Sequence, residues 1–337
     1  MDLQNKREEL IAAWSALEGN SLNDGWRTIN VSNSGPCDVR AGRRFPGNEE
    51  ALLVNFKLLP NRLFGNLPQS HGFEVLLSDL SAGDANSTWI AICRNSTGNL
   101  DFFAMMLEDI LSSIEVLNSE NQEAVFELFI KRIIAWQDFM KKNQRGLLSS
   151  EEEIGLFGEL EILADLIRIT SSKTVNYWKG PLKGIQDFIF KKGAVEVKTS
   201  VTTNNFIAQI SSLGQLDCIG KNPLYLACIN LQIGPEGQTL TEKISEITAL
   251  LNGDNASLFN FNNCLLHAGY CLDTDDKYIR HFRRQSLRIF NVDDSFPKLT
   301  NHLVPLGITK VQYEINIDLV NNKTLEFESL LNNLEYE

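Results

Sequence analysis

Apolar positions along the chain switch between a spacing of three to four residues and simple alternation, and each switch marks a change of element. Leu10, Ile11, Trp14 and Leu17 predict an amphipathic helix from residue 1 to about 18. Short apolar or alternating runs follow at Trp26 to Val31, Cys37 to Ala41, Ala51 to Lys57, Phe73 to Leu77 and Trp89 to Cys93, separated by turn-forming Asn, Ser, Gly and Pro. They predict an antiparallel meander. Phe102, Phe103, Met106, Leu107, Ile110, Leu111 and Ile114 then mark one helix. Phe126, Phe129, Ile130, Ile133, Trp136, Phe139 and Met140 mark a second, closed by Lys141 and Lys142 near Gly146.

A second pattern begins at Ser150-Glu151-Glu152-Glu153, which reads as a capping box with Ser150 as N-cap and Glu153 reaching back. On the helix that follows, Leu156, Leu160, Leu163, Leu166 and Ile167 form a broad apolar face, with Glu161, Asp165 and Arg168 opposite. Glu159 falls on the apolar side, where a carboxylate needs a partner or a function. Phe188 to Phe190 and Ala194 to Val197 flank Lys192-Gly193 and predict a hairpin. Beyond it the pattern predicts a polar helix after Asn204 to Gln209 bearing Gln209 and Gln215, a central strand from Leu224 to Ile233 and a helix from Thr241 to Leu251. A half-exposed strand is expected from Val311 to Leu319. The chain thus divides into an α+β domain over residues 1–147, suited to positioning or partner binding, and an α/β domain over residues 148–337.

The hairpin carries the chemistry. Glu196 and Lys198 are two apart and share a face in any register; Asp187 joins them only if the cross-strand pairing sum is odd. A two-residue Lys192-Gly193 turn satisfies this and sets Asp187 across from Lys198, diagonal to Glu196. Two converging carboxylates suit Mg²⁺, or Mn²⁺, and an ammonium stands beside them. Such an ion polarises a phosphate and acidifies a bound water, which Lys198 could hold or deprotonate if burial lowers its pKa.

The net charge of −12 opposes general nucleic-acid coating, so polyanion binding requires a local basic strip. Lys277, Arg280, His281, Arg283, Arg284 and Arg288 supply one, with a solvated helix face as the alternative. Arg40, Arg43 and Arg44 are further candidates for phosphate contact. Six cysteines lack metal-ligand spacing or a disulfide framework, and the opening residues lack a signal-peptide core. A reduced, cytoplasmic protein without a membrane span is expected. The four histidines form no ligand set or triad, and no phosphate-binding GxxxxGK loop occurs, so any ATP hydrolysis would come from a partner.

The order Gly155-Leu156-Phe157-Gly158-Glu159-Leu160, Tyr177-Trp178-Lys179-Gly180-Pro181, Asp187-Phe188, Glu196-Val197-Lys198-Thr199 and Ser211-Ser212-Leu213-Gly214-Gln215-Leu216 resembles PD-(D/E)XK-family proteins encoded in bacterial restriction and defence clusters. Phe296-Pro297-Lys298-Leu299 and Val311-Gln312-Tyr313-Glu314-Ile315 resemble the closing segments of that family. The resemblance implies a restriction-endonuclease-like core of a mixed sheet flanked by helices, and Mg²⁺-dependent DNA cleavage. Asp187 and Glu196 match its metal-binding acids, Glu159 the helix-borne acid and Lys198 the signature lysine. The first signature position holds Gln186 instead of Pro. Partners implied are DNA, other defence proteins such as a methyltransferase or ATPase, and a second copy in a homodimer. A nuclease-like module that grips DNA or a partner without cutting is the competing reading, and a structural adaptor with an accidental Glu-x-Lys is a third.

Overall fold

In the computed structural model, residues 3–31, 37–57, 67–70, 72–81, 87–117, 121–142, 148–202, 204–217, 223–270 and 277–334 are described. They fall into two units, Met1–Gln144 and Arg145–Glu337. The first contains α1 (Leu3–Ala16), β1 (Gly25–Asn30), β2 (Asp38–Phe45), β3 (Glu49–Lys57), β4 (Phe73–Ser78), β5 (Ser87–Arg94), α2 (Leu100–Leu117) and α3 (Gln122–Lys142). Its strands form one antiparallel sheet in the order β1-β2-β3-β5-β4.

The expected meander is therefore broken at one place, because β5 pairs with β3 and leaves β4 at the edge. Burial explains the exchange. Leu52, Leu53, Val54 and Phe56 of β3, like Ile90, Ala91, Ile92 and Cys93 of β5, are buried on both faces, so adjacent central places suit both strands. β4 is less covered, with Phe73 and Val75 buried, Glu74 and Leu76 on the opposite face only half-buried and Leu77 half exposed at its end, which fits an edge. Arg43 and Arg44 are engaged inside this unit: Arg43 donates to the Trp14 and Asn48 carbonyls and pairs with Glu50, while Arg44 pairs with Glu49 and Glu74.

The second unit contains α4 (Ser150–Ile169), β6 (Phe188–Ile189), β7 (Ala194–Ser200), β8 (Ile207–Ile210), β9 (Leu224–Gln238), α5 (Leu240–Leu250), α6 (Asn255–Ala268), β10 (Phe282–Asn291), β11 (Tyr313–Asn316), β12 (Thr324–Leu325) and α7 (Phe327–Asn333). Five strands make a mixed sheet in the order β12-β10-β9-β7-β6, in which β7 and β9 run parallel. Alternation sends Val195, Val197, Tyr225, Ala227 and Ile229 to one face, against Phe157 and Leu160 of α4, Ile247 of α5 and Phe261 of α6. Ala194, Leu226, Cys228 and Phe290 face the other way, onto Ala208 and Ile210 of β8 and Ile315 of β11. The unit is thus three layers: helices, sheet and a small β8–β11 ribbon.

Three local expectations shift. Residues 207–210 form a strand and residues 213–216 a 3₁₀ turn instead of a polar helix, because Ala208 and Ile210 alternate with exposed Ile207 and Gln209 and pair with β11. The strand expected over 311–319 is confined to Tyr313–Asn316; at Asn316 the side chain accepts the Asp318 N–H, and the chain turns. The α4 cap lies one residue earlier, with Ser149 accepting from the Glu152 N–H and the Glu152 carboxylate accepting from the Ser149 N–H. Glu153 is instead buried and paired with Arg280, which also donates to the Ser150 carbonyl. Glu161, expected on the polar side of α4, is buried between Lys243 (2.5 Å) and Arg284 (3.4 Å).

These pairs predict a contrast in stability. Arg280→Ala leaves the Glu153 carboxylate, 5% exposed, without its cation and costs roughly 2 kcal/mol, discounted for the partly exposed arginine. Arg283→Ala breaks a pair with Glu236 that is more than half exposed and changes stability by less than about 0.5 kcal/mol. Urea unfolding of the two variants measures the difference; equal losses would refute it. Among the described residues, no helix is long and apolar enough to cross a membrane.

Candidate active site

The β6–β7 register is Phe188↔Val195 and Ile189↔Ala194. Four residues, Phe190 to Gly193, lie outside the ladder, the Phe190 N–H bonds the Gly193 carbonyl, and Gly193 takes the positive φ of +89° that favours glycine. The loop is two residues longer than a Lys192-Gly193 turn, so the pairing sum stays odd. Asp187 keeps the face of Glu196 but stands across from Glu196, not across from Lys198.

Asp187 sits immediately before β6, where the edge of β7 is open. Its Oδ2 accepts the Val197 N–H at 2.7 Å, and its carbonyl accepts the N–H groups of Lys179 and Gly180 at 2.6 and 3.0 Å. Glu196 is 1% exposed and its Oε1 pairs with Lys198 Nζ at 2.9 Å. The same Nζ lies 3.4 Å from Gln215 Oε1.

Glu159 arrives from α4. Gly158 lets the helix backbone close directly on Thr199 of β7, since a Cβ there would overlap the threonine hydroxyl. The neighbouring Glu159 is thereby delivered to the same edge, where buried Trp178 donates its Nε1–H to Oε2 at 2.6 Å. Gly180 completes the cradle: a Cβ at this position would lie 2.6 Å from Asp187 Oδ1 and 2.8 Å from Glu159 Oε2, so these oxygens border one small space. Trp178 and Gly180 had no assigned role in the sequence, although a buried indole must find an acceptor for its one N–H, and a carboxylate on an apolar face needs such a donor.

Burial pushes Glu159 well above the usual carboxylate range, reinforced by Asp187 and Glu196 and opposed by Trp178 and Lys198. Burial likewise lifts Asp187 to about 6, against the Val197 N–H and Lys198. Glu196 is lifted to about 8 by burial and by Asp187, with Lys198 opposing. Burial alone would depress Lys198, but attraction and hydrogen bonding to Glu196, with Asp187 and Glu159 beyond, outweigh it and hold its pKa up. The lowering that would let Lys198 deprotonate a water is therefore not found, and the side chain donates as an ammonium to Glu196 and Gln215.

Among the described residues no three acidic, His or Cys side chains form a ready-made ion cage. Each carboxylate spends one oxygen on a protein donor, namely Val197 N–H, Lys198 or Trp178. The buried Glu196 Oε2 nevertheless has no hydrogen-bond partner, and Asp187 Oδ1 faces the Gly180 space. Hard oxygens left unpaired in a desolvated site fit a divalent cation such as Mg²⁺ or Mn²⁺.

Half of the basic run, Arg283, Arg284 and Arg288, lies on β10, a strand and not a helix, and a β-bulge between Arg284 and Ser286 shifts the alternation so that Arg284 and Arg288 take opposite faces. Arg288 pairs in register with Cys228, which pairs with Lys198, placing Arg288 on the Lys198 face two strands away, about 10 Å. It pairs with Asp318 at 2.7 Å and lies over the Phe206 ring. Arg284 turns to the helical face and pairs with Asp165 and Glu161 of α4. Arg280 holds Glu153, Arg283 holds Glu236 and Gln232, and Lys277 is exposed.

A mixed sheet layered by helices, with Asp187, Glu196 and Lys198 at an open strand edge, is consistent with a nuclease-like α/β core. The chain belongs to the family described as "Putative PD-(D/E)XK family member" (DUF4420), whose model matches residues 10–318. No curated protein and no solved structure matches it.

Proposed function

We propose that the protein is a Mg²⁺-dependent endonuclease that hydrolyses phosphodiester bonds in DNA. The observation that carries this reading is the convergence of Asp187, Glu196, Lys198 and Glu159 on one edge of β7, with an unpartnered buried oxygen on Glu196. Asp187 and Glu196 would hold the ion, with Glu159 as the third acid. The chemistry such an ion supplies is Lewis acidity toward a phosphate oxygen and acidification of water.

Lys198 shares two of its three N–H donors between Glu196 and Gln215, and the third is available to a phosphate oxygen or the attacking water. Its raised pKa makes it a donor at neutral pH. Arg288 is the arginine of the basic run best placed for an adjacent phosphate, because its partly exposed pair with Asp318 is weak enough for a phosphate to replace. A restriction or phage-defence setting, with partner proteins, is part of the same proposal and rests on the family resemblance alone.

The test is incubation of the purified protein with plasmid in Mg²⁺ and in EDTA, with Asp187→Ala as control. Cleavage in Mg²⁺ alone that disappears in the variant supports the reading; DNA binding without cleavage favours the gripping module. Gly180→Ala is a sharper probe. Its methyl enters the space between Asp187 Oδ1 and Glu159 Oε2, and the displacement is expected to slow cleavage about a hundredfold while the sheet remains folded. Wild-type rates in this variant would show that the Gly180 space is not used.

A further inference from the structure

Gln186 occupies the position immediately before Asp187 and is 2% exposed, yet it bonds nothing in its own hairpin. Its Nε2 reaches the 3₁₀ turn over residues 213–216, donating to the Gly214 carbonyl at 2.9 Å and toward the Gln215 carbonyl at 3.4 Å. Gln215 in turn is oriented by the Ser211 N–H, which donates to Oε1 at 2.8 Å, and that same oxygen faces Lys198 Nζ. An amide oxygen has two lone pairs, and both are used here, one by the turn and one by the lysine. The amide plane of Gln215 is thereby set from within its own turn, and the turn is set from Gln186.

We propose that Gln186 and Gln215 form a clasp that positions Lys198 for the reaction, an inference that rests on the nuclease reading above. Without a second acceptor, Lys198 Nζ can swing around its single partner Glu196, and its third N–H no longer has a fixed direction. The clasp also gives a physical reason for Gln at a place where the family signature has Pro. A proline has no amide to reach the turn, so this chain uses its first signature position to tie β6 to the segment behind the lysine. Both glutamines are positioning residues, acting through Lys198.

Gln186→Met and Gln215→Met keep side-chain length and remove the amide. Each is expected to lower kcat for plasmid cleavage in Mg²⁺ about tenfold, with KM and Mn²⁺ affinity by calorimetry within about twofold of wild type. The double variant should lose no more than either single one, since both act through one chain of contacts. Hydrogen exchange supplies a readout independent of cleavage: the Ser211 amide should exchange faster in both variants, directly in Gln215→Met and through the released turn in Gln186→Met. Unchanged exchange in Gln186→Met overturns the clasp. Faster exchange with unchanged kcat in both variants overturns the positioning role. If Gln186→Met fails to fold, Gln186→Leu, likewise without an amide for the Gly214 carbonyl, takes its place in the exchange measurement, and the less buried Gln215→Met carries kcat. An inactive wild type would count against the nuclease reading itself, and exchange would still decide whether the turn hangs on Gln186.

Discussion

Glu196→Gln is expected to lower Mg²⁺-dependent cleavage by about a thousandfold or more while leaving the protein folded. Gln keeps an oxygen for Lys198 and fills the same volume, so the 2.9 Å contact to Lys198 is conserved in kind. What disappears is the charge that burial disfavours and that a divalent ion would need. Asp187→Asn should behave similarly, because its amide can still accept the Val197 N–H but no longer offers an anionic oxygen toward the Gly180 space. Lys198→Ala is different: it should cripple cleavage while leaving metal affinity measurable, since an ammonium competes with a cation for Glu196. Single-turnover cleavage with parallel Mn²⁺ titration separates the cases. A Glu196→Gln variant that cuts at the wild-type rate would remove the site assignment.

The second large effect concerns pH in the metal-free protein. Asp187, Glu196 and Glu159 all have folded-state pKa values raised above their unfolded ones, with Asp187 near 6 and Glu196 near 8. A group raised in this way contributes stability that is fully present below its unfolded pKa and is lost as pH rises through its folded pKa. The metal-free protein should therefore lose stability from about pH 4 up to about pH 9, by on the order of a few kcal/mol or roughly 5 °C in melting temperature. Asp254, held down at about 2 by Ser172 and Ser257, has the opposite sign, and its contribution fades only below about pH 4. Mg²⁺ should flatten the decline by pairing with the ionised acids and should displace protons on binding. Glu196→Gln should flatten it without metal. Melting scans in EDTA and in Mg²⁺ across this range check the sign; a metal-free wild type that becomes more stable toward pH 9 would contradict the site electrostatics.

Several features of the site are legible in the sequence. That Glu196 and Lys198 share a face follows from the two-residue period of a strand, and the odd parity that brings Asp187 to the same side survived a hairpin loop two residues longer than the shortest one. Glu159 stood out because a carboxylate lay among leucines. Trp178 was not legible as its partner, because 19 residues and a change of direction separate donor from acceptor. The capping frame of α4 was ambiguous by one residue: Ser149 with Glu152 and Ser150 with Glu153 offer the same local chemistry, and the choice lies with Arg280, which pairs with Glu153 from more than a hundred residues away.

Local periodicity thus determined where most of the helices and strands form, which side chains share a face and which acids are out of place. It did so because those properties depend on neighbours within a few residues. Tertiary structure alone decided that β5 inserts beside β3 and that residues 207–210 pair with β11. It also divided the arginines of β10 between two faces, setting Arg284 against α4 and Arg288 in the row of Lys198. The pKa of Lys198 belongs to the same class. Burial by itself would lower it, and only the three-dimensional gathering of Glu196, Asp187 and Glu159 around the ammonium reverses the sign.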